Sequence, residues 1–120
     1  MSRKLLIVDD TNFARLRLKK LLEETNYEVI GEAGDGEEAL RMLKDINPDI
    51  ITLDMNMPVM DGMTFIKKFR SVNKKTKIIV MSAVGHDIAV TRAIEEGADG
   101  FLKKPFQQPE LLLALSKLYI

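Results

Sequence analysis

Five short runs of strand-forming residues alternate with five amphipathic stretches, and that alternation admits few folds. The runs are Lys4–Val8, Glu28–Ala33, Ile50–Leu53, Lys77–Met81 and Gly100–Lys103. The first, third and fourth are nearly all apolar, as expected of central strands covered on both faces. The second, Glu28-Val29-Ile30-Gly31-Glu32-Ala33, mixes polar residues with glycine and suits a sheet edge. The expectation is an α/β fold, a doubly wound five-stranded parallel sheet with five helices. With right-handed crossovers the strand order is 2-1-3-4-5, an order taken over from known sheets of this kind rather than derived from these residues.

Helices fill the gaps. Asn12–Thr25 puts Ala14, Leu18, Leu21 and Leu22 on one face by 3.6-residue periodicity. Gly36–Ile46 follows Asp35 as N-cap, with Glu38 as the second half of a capping box, and proline stops it at Asn47-Pro48-Asp49. Gly62–Val72 carries Phe65, Ile66 and Phe69. His86–Glu96 ends at Gly97, a suitable residue just past a helix end. Gln108–Ile120 has Pro109 in its first turn, where a missing N–H costs nothing. Arg15-Leu16-Arg17-Leu18-Lys19-Lys20 reads as a wet face with Leu18 inward. Phe13 and Leu16 fall off the core face of the first helix. Leu111, Leu112, Leu113, Leu115 and Leu118 are too many for one face of the last, which points Leu113 outward.

Composition narrows the function. The chain has 120 residues and no linker, repeat or low-complexity tract, so one domain over 1–120 is expected. Formal net charge is zero and no basic tail or stripe stands out, which gives nucleic-acid binding no support. The longest apolar runs, Leu5–Val8 and Leu111–Leu115, are far too short to span a membrane, and the start is no signal peptide. There is no cysteine, which removes disulfides and thiolate zinc sites and fits the cytoplasm. His86 is the sole histidine, so no multi-histidine metal site is on offer. Met1 at the start and a helix running to Ile120 favour a stand-alone unit.

Four of the five strand ends carry chemistry. Asp9-Asp10 follow the first run, Asp54 the third, Ser82 the fourth and Lys104-Pro105 the fifth. Ligands of such sheets bind beyond the carboxyl ends of the strands, where strands one and three diverge. Three carboxylates meeting there repel one another, and one tends to take up a proton. A hard cation resolves the conflict, and oxygen ligands favour Mg²⁺ or Mn²⁺. Asp54 is then a nucleophile able to form an aspartyl phosphate. Lys104 adds a positive point for the transferring group, and Ser82 can donate to a phosphoryl oxygen.

Four motifs carry a resemblance: Ile7-Val8-Asp9-Asp10, Asp54-Met55-Asn56-Met57-Pro58-Val59-Met60-Asp61-Gly62, Ser82-Ala83 and Lys104-Pro105-Phe106. In order and with this spacing, they resemble the receiver domain of two-component response regulators, most of all stand-alone chemotaxis-type receivers with a flavodoxin-like fold. The resemblance implies that Asp54 is the phosphorylated aspartate. It implies that Asp10 binds Mg²⁺ directly, Asp9 largely through water, and Asn56 through its main-chain carbonyl. It makes Ser82 the switch hydroxyl, Lys104 the phosphate-pairing lysine, Phe101 the switch aromatic, and the Lys104–Pro105 bond cis. Two residues depart from the commonest pattern: Ser82 stands for threonine and Phe101 for tyrosine. The implied protein is a cytoplasmic, monomeric signalling switch rather than an enzyme, with self-catalysed phosphotransfer and autodephosphorylation. Its implied partners are a histidine kinase or phosphotransfer domain and an output protein on the face of helix four, strand five and helix five; the off-core Phe13 and Leu16 either lie partly buried under neighbouring loops or offer the kinase a docking patch beside the acidic rim. A flagellar motor switch, a phosphorelay partner and another component of a chemotaxis array are all candidates for that output.

Three other functions compete. A haloacid-dehalogenase-type phosphatase also uses a Mg²⁺-assisted aspartate, but expects a second Asp two residues on, where this chain has Asn56. A flavodoxin-like electron carrier needs a hydroxyl-rich phosphate loop after strand one and aromatics to sandwich a flavin. The chain has Asp9-Asp10-Thr11-Asn12 there, no tryptophan, and Tyr27 and Tyr119 as its tyrosines. A pure interaction module has no use for the complete acidic set.

Overall fold

The structure, a computed structural model, describes residues 2–83 and 87–119. His86, expected at the head of the fourth helix, Val84-Gly85 of the preceding loop, and Ile120 lie outside the described residues. The strands are β1 (Arg3–Val8), β2 (Tyr27–Ala33), β3 (Ile50–Asp54), β4 (Lys77–Ser82) and β5 (Gly100–Lys103). All neighbours are parallel, in the order β2-β1-β3-β4-β5. The helices are α1 (Asn12–Leu22), α2 (Gly36–Met42), α3 (Gly62–Arg70), α4 (Asp87–Glu95) and α5 (Gln108–Lys117).

The period-two alternation of the strands sorts the core into two layers. Leu5, Ile7, Ile50, Ile79 and Met81 face Leu18 and Leu22 of α1 and Leu111 and Leu115 of α5. Leu6, Val8, Ile51, Leu53, Ile78 and Val80 face Ala39 of α2, Phe65, Ile66 and Phe69 of α3, and Ala93 of α4. Each fully buried aliphatic side chain contributes about 1.5–3 kcal/mol, so the three central strands are fixed in register and their carboxyl ends align. A bulge shifts β2 against β1, so that Leu5 opposes Val29 while Leu6 opposes Gly31. A side chain at Gly31 would lie 2.8 Å from the Met42 methyl, so glycine there lets α2 lie close on the edge strand.

Four helices end earlier than periodicity suggests. α1 stops at Leu22 rather than Thr25: Thr25 turns its hydroxyl back onto the Leu22 carbonyl at 2.5 Å, and Glu24 takes φ +59°. α2 stops at Met42, with a looser turn carrying on through Ile46 N–H to Met42 O at 3.0 Å, so Pro48 is not what ends it. The capping box is also different. Asp35 caps Glu38 N–H, but Glu38 reaches past Asp35 to the N–H of Gly34. α3 and α5 stop at Arg70 and Lys117, two and three residues short. α4 closes as expected: Gly97 has φ +121°, and the N–H groups of Gly97 and Ala98 bond Ile94 O and Ala93 O. None of the described helices is long and apolar enough to cross a membrane.

Candidate functional site

Asp9 is the first residue past β1, and its N–H extends the ladder to Ala33 O at 3.0 Å. Its buried carboxylate is held by the Thr11 N–H at 3.0 Å and the Thr11 hydroxyl at 3.3 Å. Thr11 in turn caps α1 through the Ala14 N–H, so one short turn both starts the helix and aims the acid. Asp54 is the last residue of β3, paired in register with Met81. Oxygen atoms of Asp9, Asp10 and Asp54 lie within 4.8 Å of one another. Lys104 follows β5, its N–H bonded to Ser82 O at 2.9 Å, and the Lys104–Pro105 peptide is cis. Its ammonium sits 2.9 Å from Asp9 Oδ2 and 3.9 Å from Asp54 Oδ1. The expected rim is therefore assembled, with the lysine resting on Asp9 rather than on Asp54.

The Asp54 side chain is 12% exposed. Burial pushes its carboxyl from the ordinary 3.8 up to about 6, with Asp9 and Asp10 adding to the rise, while Lys104 and the Asn56 N–H oppose it. Repulsion among the acids, the cause expected from sequence, is thus secondary to burial. The Asn56 N–H donates to Asp54 Oδ1 at 3.3 Å. With Asp54 largely buried beside buried Asp9 and exposed Asp10, this set suits a small hard dication with oxygen ligands and an open side toward solvent. A groove of about 870 Å³, lined in part by Asn56, Asp61, Lys67, Ser82 and Arg92, opens beside it.

Ser82 is buried at the end of β4. Val80 pairs with Phe101 and Ser82 follows two residues on, so Ser82 and Phe101 share the sheet face toward α4. Phe101 is half-buried against the core and borders a 380 Å³ hollow with Leu102, Leu113 and Leu118. Phe13 and Leu16 are 78% and 50% exposed, and Leu113 is 56% exposed. Beside Phe13 a 320 Å³ hollow, walled by Arg17, Pro105 and Phe106, reaches Asp9 and Lys104.

A family model described as "Response regulator receiver domain" matches residues 5–116. The chain belongs to the response regulator receiver family. The receiver is 44% identical to chemotaxis protein CheY of Thermotoga maritima over 117 residues, covering 98% of each. It is 39% identical to chemotaxis protein CheY of Bacillus subtilis, again covering 98% of each. Among solved structures it superposes on a CheX–CheY–BeF₃–Mg²⁺ complex from Borrelia burgdorferi with TM-score 0.94 and 32% identity, covering 98% of this chain and 90% of that one.

Two features of the receiver escaped the sequence. Arg15 and Lys19, read there as wet, both reach Glu32 on β2, and Arg15 also bonds the Asp9 carbonyl. Only their i, i+4 spacing hinted at a shared target. Residues 67–77 hold six cations and no acid, so the neutral chain does carry one local basic segment; its Arg70 is tied to Asp99, Gly97 O and Asn73 O.

Proposed function

We propose that this receiver takes a phosphoryl group from a partner's phosphohistidine onto Asp54 and thereby changes its affinity for an output protein. The observation that carries the reading is the convergence of three carboxylates within 4.8 Å, with an ammonium seated on Asp9 and 3.9 Å from Asp54. Asp10, Asp54, the Asn56 carbonyl and, through water, Asp9 would hold Mg²⁺, with Mn²⁺ as an alternative. Bound there, the dication supplies positive charge against the phosphoryl oxygens. The Asp54 carboxylate oxygen attacks phosphorus in line. The P–N bond breaks, its electron pair returns to the imidazole, which takes a proton, and an acyl phosphate remains on Asp54. Lys104, now resting on Asp9, is within reach of the new phosphoryl oxygens. Water later cleaves the acyl phosphate to carboxylate and inorganic phosphate.

The Ser82 hydroxyl donates to a phosphoryl oxygen and draws the end of β4 inward, and Phe101 on the same face follows. One charge-assisted hydrogen bond contributes about 1.5–3 kcal/mol, enough to move a two-state balance roughly ten- to a hundredfold. Residues 1–120 act as one cytoplasmic, monomeric receiver domain. The kinase or phosphotransfer domain meets the rim beside Phe13 and Leu16, and the output partner meets the α4–β5–α5 face around Leu113. The relatives named as chemotaxis proteins support chemotaxis as the pathway, with a flagellar motor switch or a phosphorelay partner as the output. The test is labelling with acetyl phosphate and Mg²⁺. Base-labile label is expected on the wild type and none on Asp54→Asn; equal label on both would overturn the assignment.

A further inference from the structure

Arg15 lies in the first turn of α1, directly behind the acidic pair. Its guanidinium donates from Nη1 to the main-chain carbonyl of Asp9 and from Nη2 to Asn12 Oδ1, and its Nε lies 3.2 Å from Glu32 Oε1. Lys19 Nζ lies 2.6 Å from the other Glu32 oxygen, and among the described residues it makes no bond to Asp9 or Asn12, so it pairs with the same acid without touching the Asp9–Asp10 backbone. The Asp10 carboxylate is exposed and makes no hydrogen bond among the described residues. With no partner on the carboxylate, the backbone sets the Cα–Cβ direction from which Asp10 reaches toward Asp54. That backbone is gripped on either side of Asp10: Thr11 N–H bonds Asp9 Oδ1 at 3.0 Å, and Arg15 holds the Asp9 carbonyl. Without the fork, the Asp9–Asp10 peptide plane can rotate and carry the Asp10 carboxylate away from Asp54.

We propose that Arg15 is a positioning residue of the cation site, orienting Asp10 through the Asp9 peptide. The inference rests on the reading that the acidic rim binds a divalent cation. Its sign separates it from simple electrostatics. A guanidinium behind three acids repels a dication, so on charge alone its removal tightens Mg²⁺ binding. A positioning role makes removal weaken binding. Lysine keeps the charge but not the planar fork that spans three oxygens.

The experiment compares wild type, Arg15→Gln, Arg15→Lys and Lys19→Gln by calorimetric titration with Mg²⁺, alongside unfolding midpoints in EDTA and amide exchange at Asp10 and Thr11. Both Arg15 variants are expected to bind Mg²⁺ about tenfold or more weakly, the usual effect of losing a partner behind a ligand, with faster exchange at Asp10 and Thr11. Lys19→Gln is expected to bind at least as tightly as wild type. Unchanged or tighter binding by a folded Arg15 variant overturns the proposal, and so does equal weakening by Lys19→Gln. If Arg15→Gln does not fold, Arg15→Lys alone decides. A wild type that takes no Mg²⁺ refutes the cation reading itself, an outcome distinct from intact wild-type binding with unaffected variants.

Discussion

Replacing Asp54 with asparagine should stabilise the cation-free protein, and the gain should depend on pH in a defined direction. Burial raises the Asp54 carboxyl from the ordinary 3.8 to about 6 in the folded chain. Between those values the native state holds a proton that the unfolded state has released, so stability falls as pH rises through that window. Below pH 3.8 both states are protonated and nothing is lost. Above the folded value the full difference applies, at most about 3 kcal/mol at 1.36 kcal/mol per pH unit of displacement. For a domain of this size that is roughly 10 °C in unfolding midpoint. Asparagine keeps the shape and carries no charge. Thermal and urea unfolding of wild type and Asp54→Asn, followed by circular dichroism in EDTA from pH 4 to 8, measures the effect. The variant should gain progressively over wild type as pH rises, with little difference near pH 4. Saturating Mg²⁺ should raise the wild type and close most of the gap. A variant no more stable than wild type at pH 8, or a gain of equal size at both ends, would refute the argument that burial of this carboxylate is unfavourable.

Two further substitutions test local statements. Thr52 is 1% exposed and its hydroxyl has no hydrogen-bond partner among the described residues. Thr52→Val should therefore raise stability by about 1 kcal/mol, read as a higher urea midpoint; a lower midpoint would show that the hydroxyl is satisfied. Val59 holds φ +66° in the turn before α3 while 76% exposed, a backbone region that β-branched residues avoid. Val59→Asn, which tolerates that region, should add about 1 kcal/mol, and an unchanged unfolding midpoint would contradict the strain.

The sheet was legible because burial on both faces writes itself into sequence as nearly continuous apolar runs. Leu5–Val8, Ile50–Leu53 and Ile78–Val80 could be central strands and little else, and the polar second run fell on an edge. The acids were legible for the same reason: a strand that ends at the rim delivers its next residue there. What sequence could not supply was the reach of long side chains. Periodicity assigns Arg15 a direction from its Cα, but the guanidinium acts several bonds away, on Asp9 and Glu32. Glu38 bonded Gly34 rather than the residue expected of a capping box, a difference of one peptide that spacing cannot resolve. Helix ends slipped where polar residues, such as Thr25, had a local alternative to helical bonding. The dominance of burial over repulsion at Asp54 likewise depends on how deeply its side chain lies, which a motif does not state.

The central claim is that one carboxylate in this cluster carries the phosphoryl group. The most direct measurement treats the purified protein with acetyl phosphate and Mg²⁺, traps the acyl phosphate by borohydride reduction, and sequences the peptides by mass spectrometry. The account predicts a reduced, homoserine-type residue at position 54 alone, absent when EDTA replaces Mg²⁺. Reduction at position 9 or 10 instead, or the same yield without the dication, would contradict it.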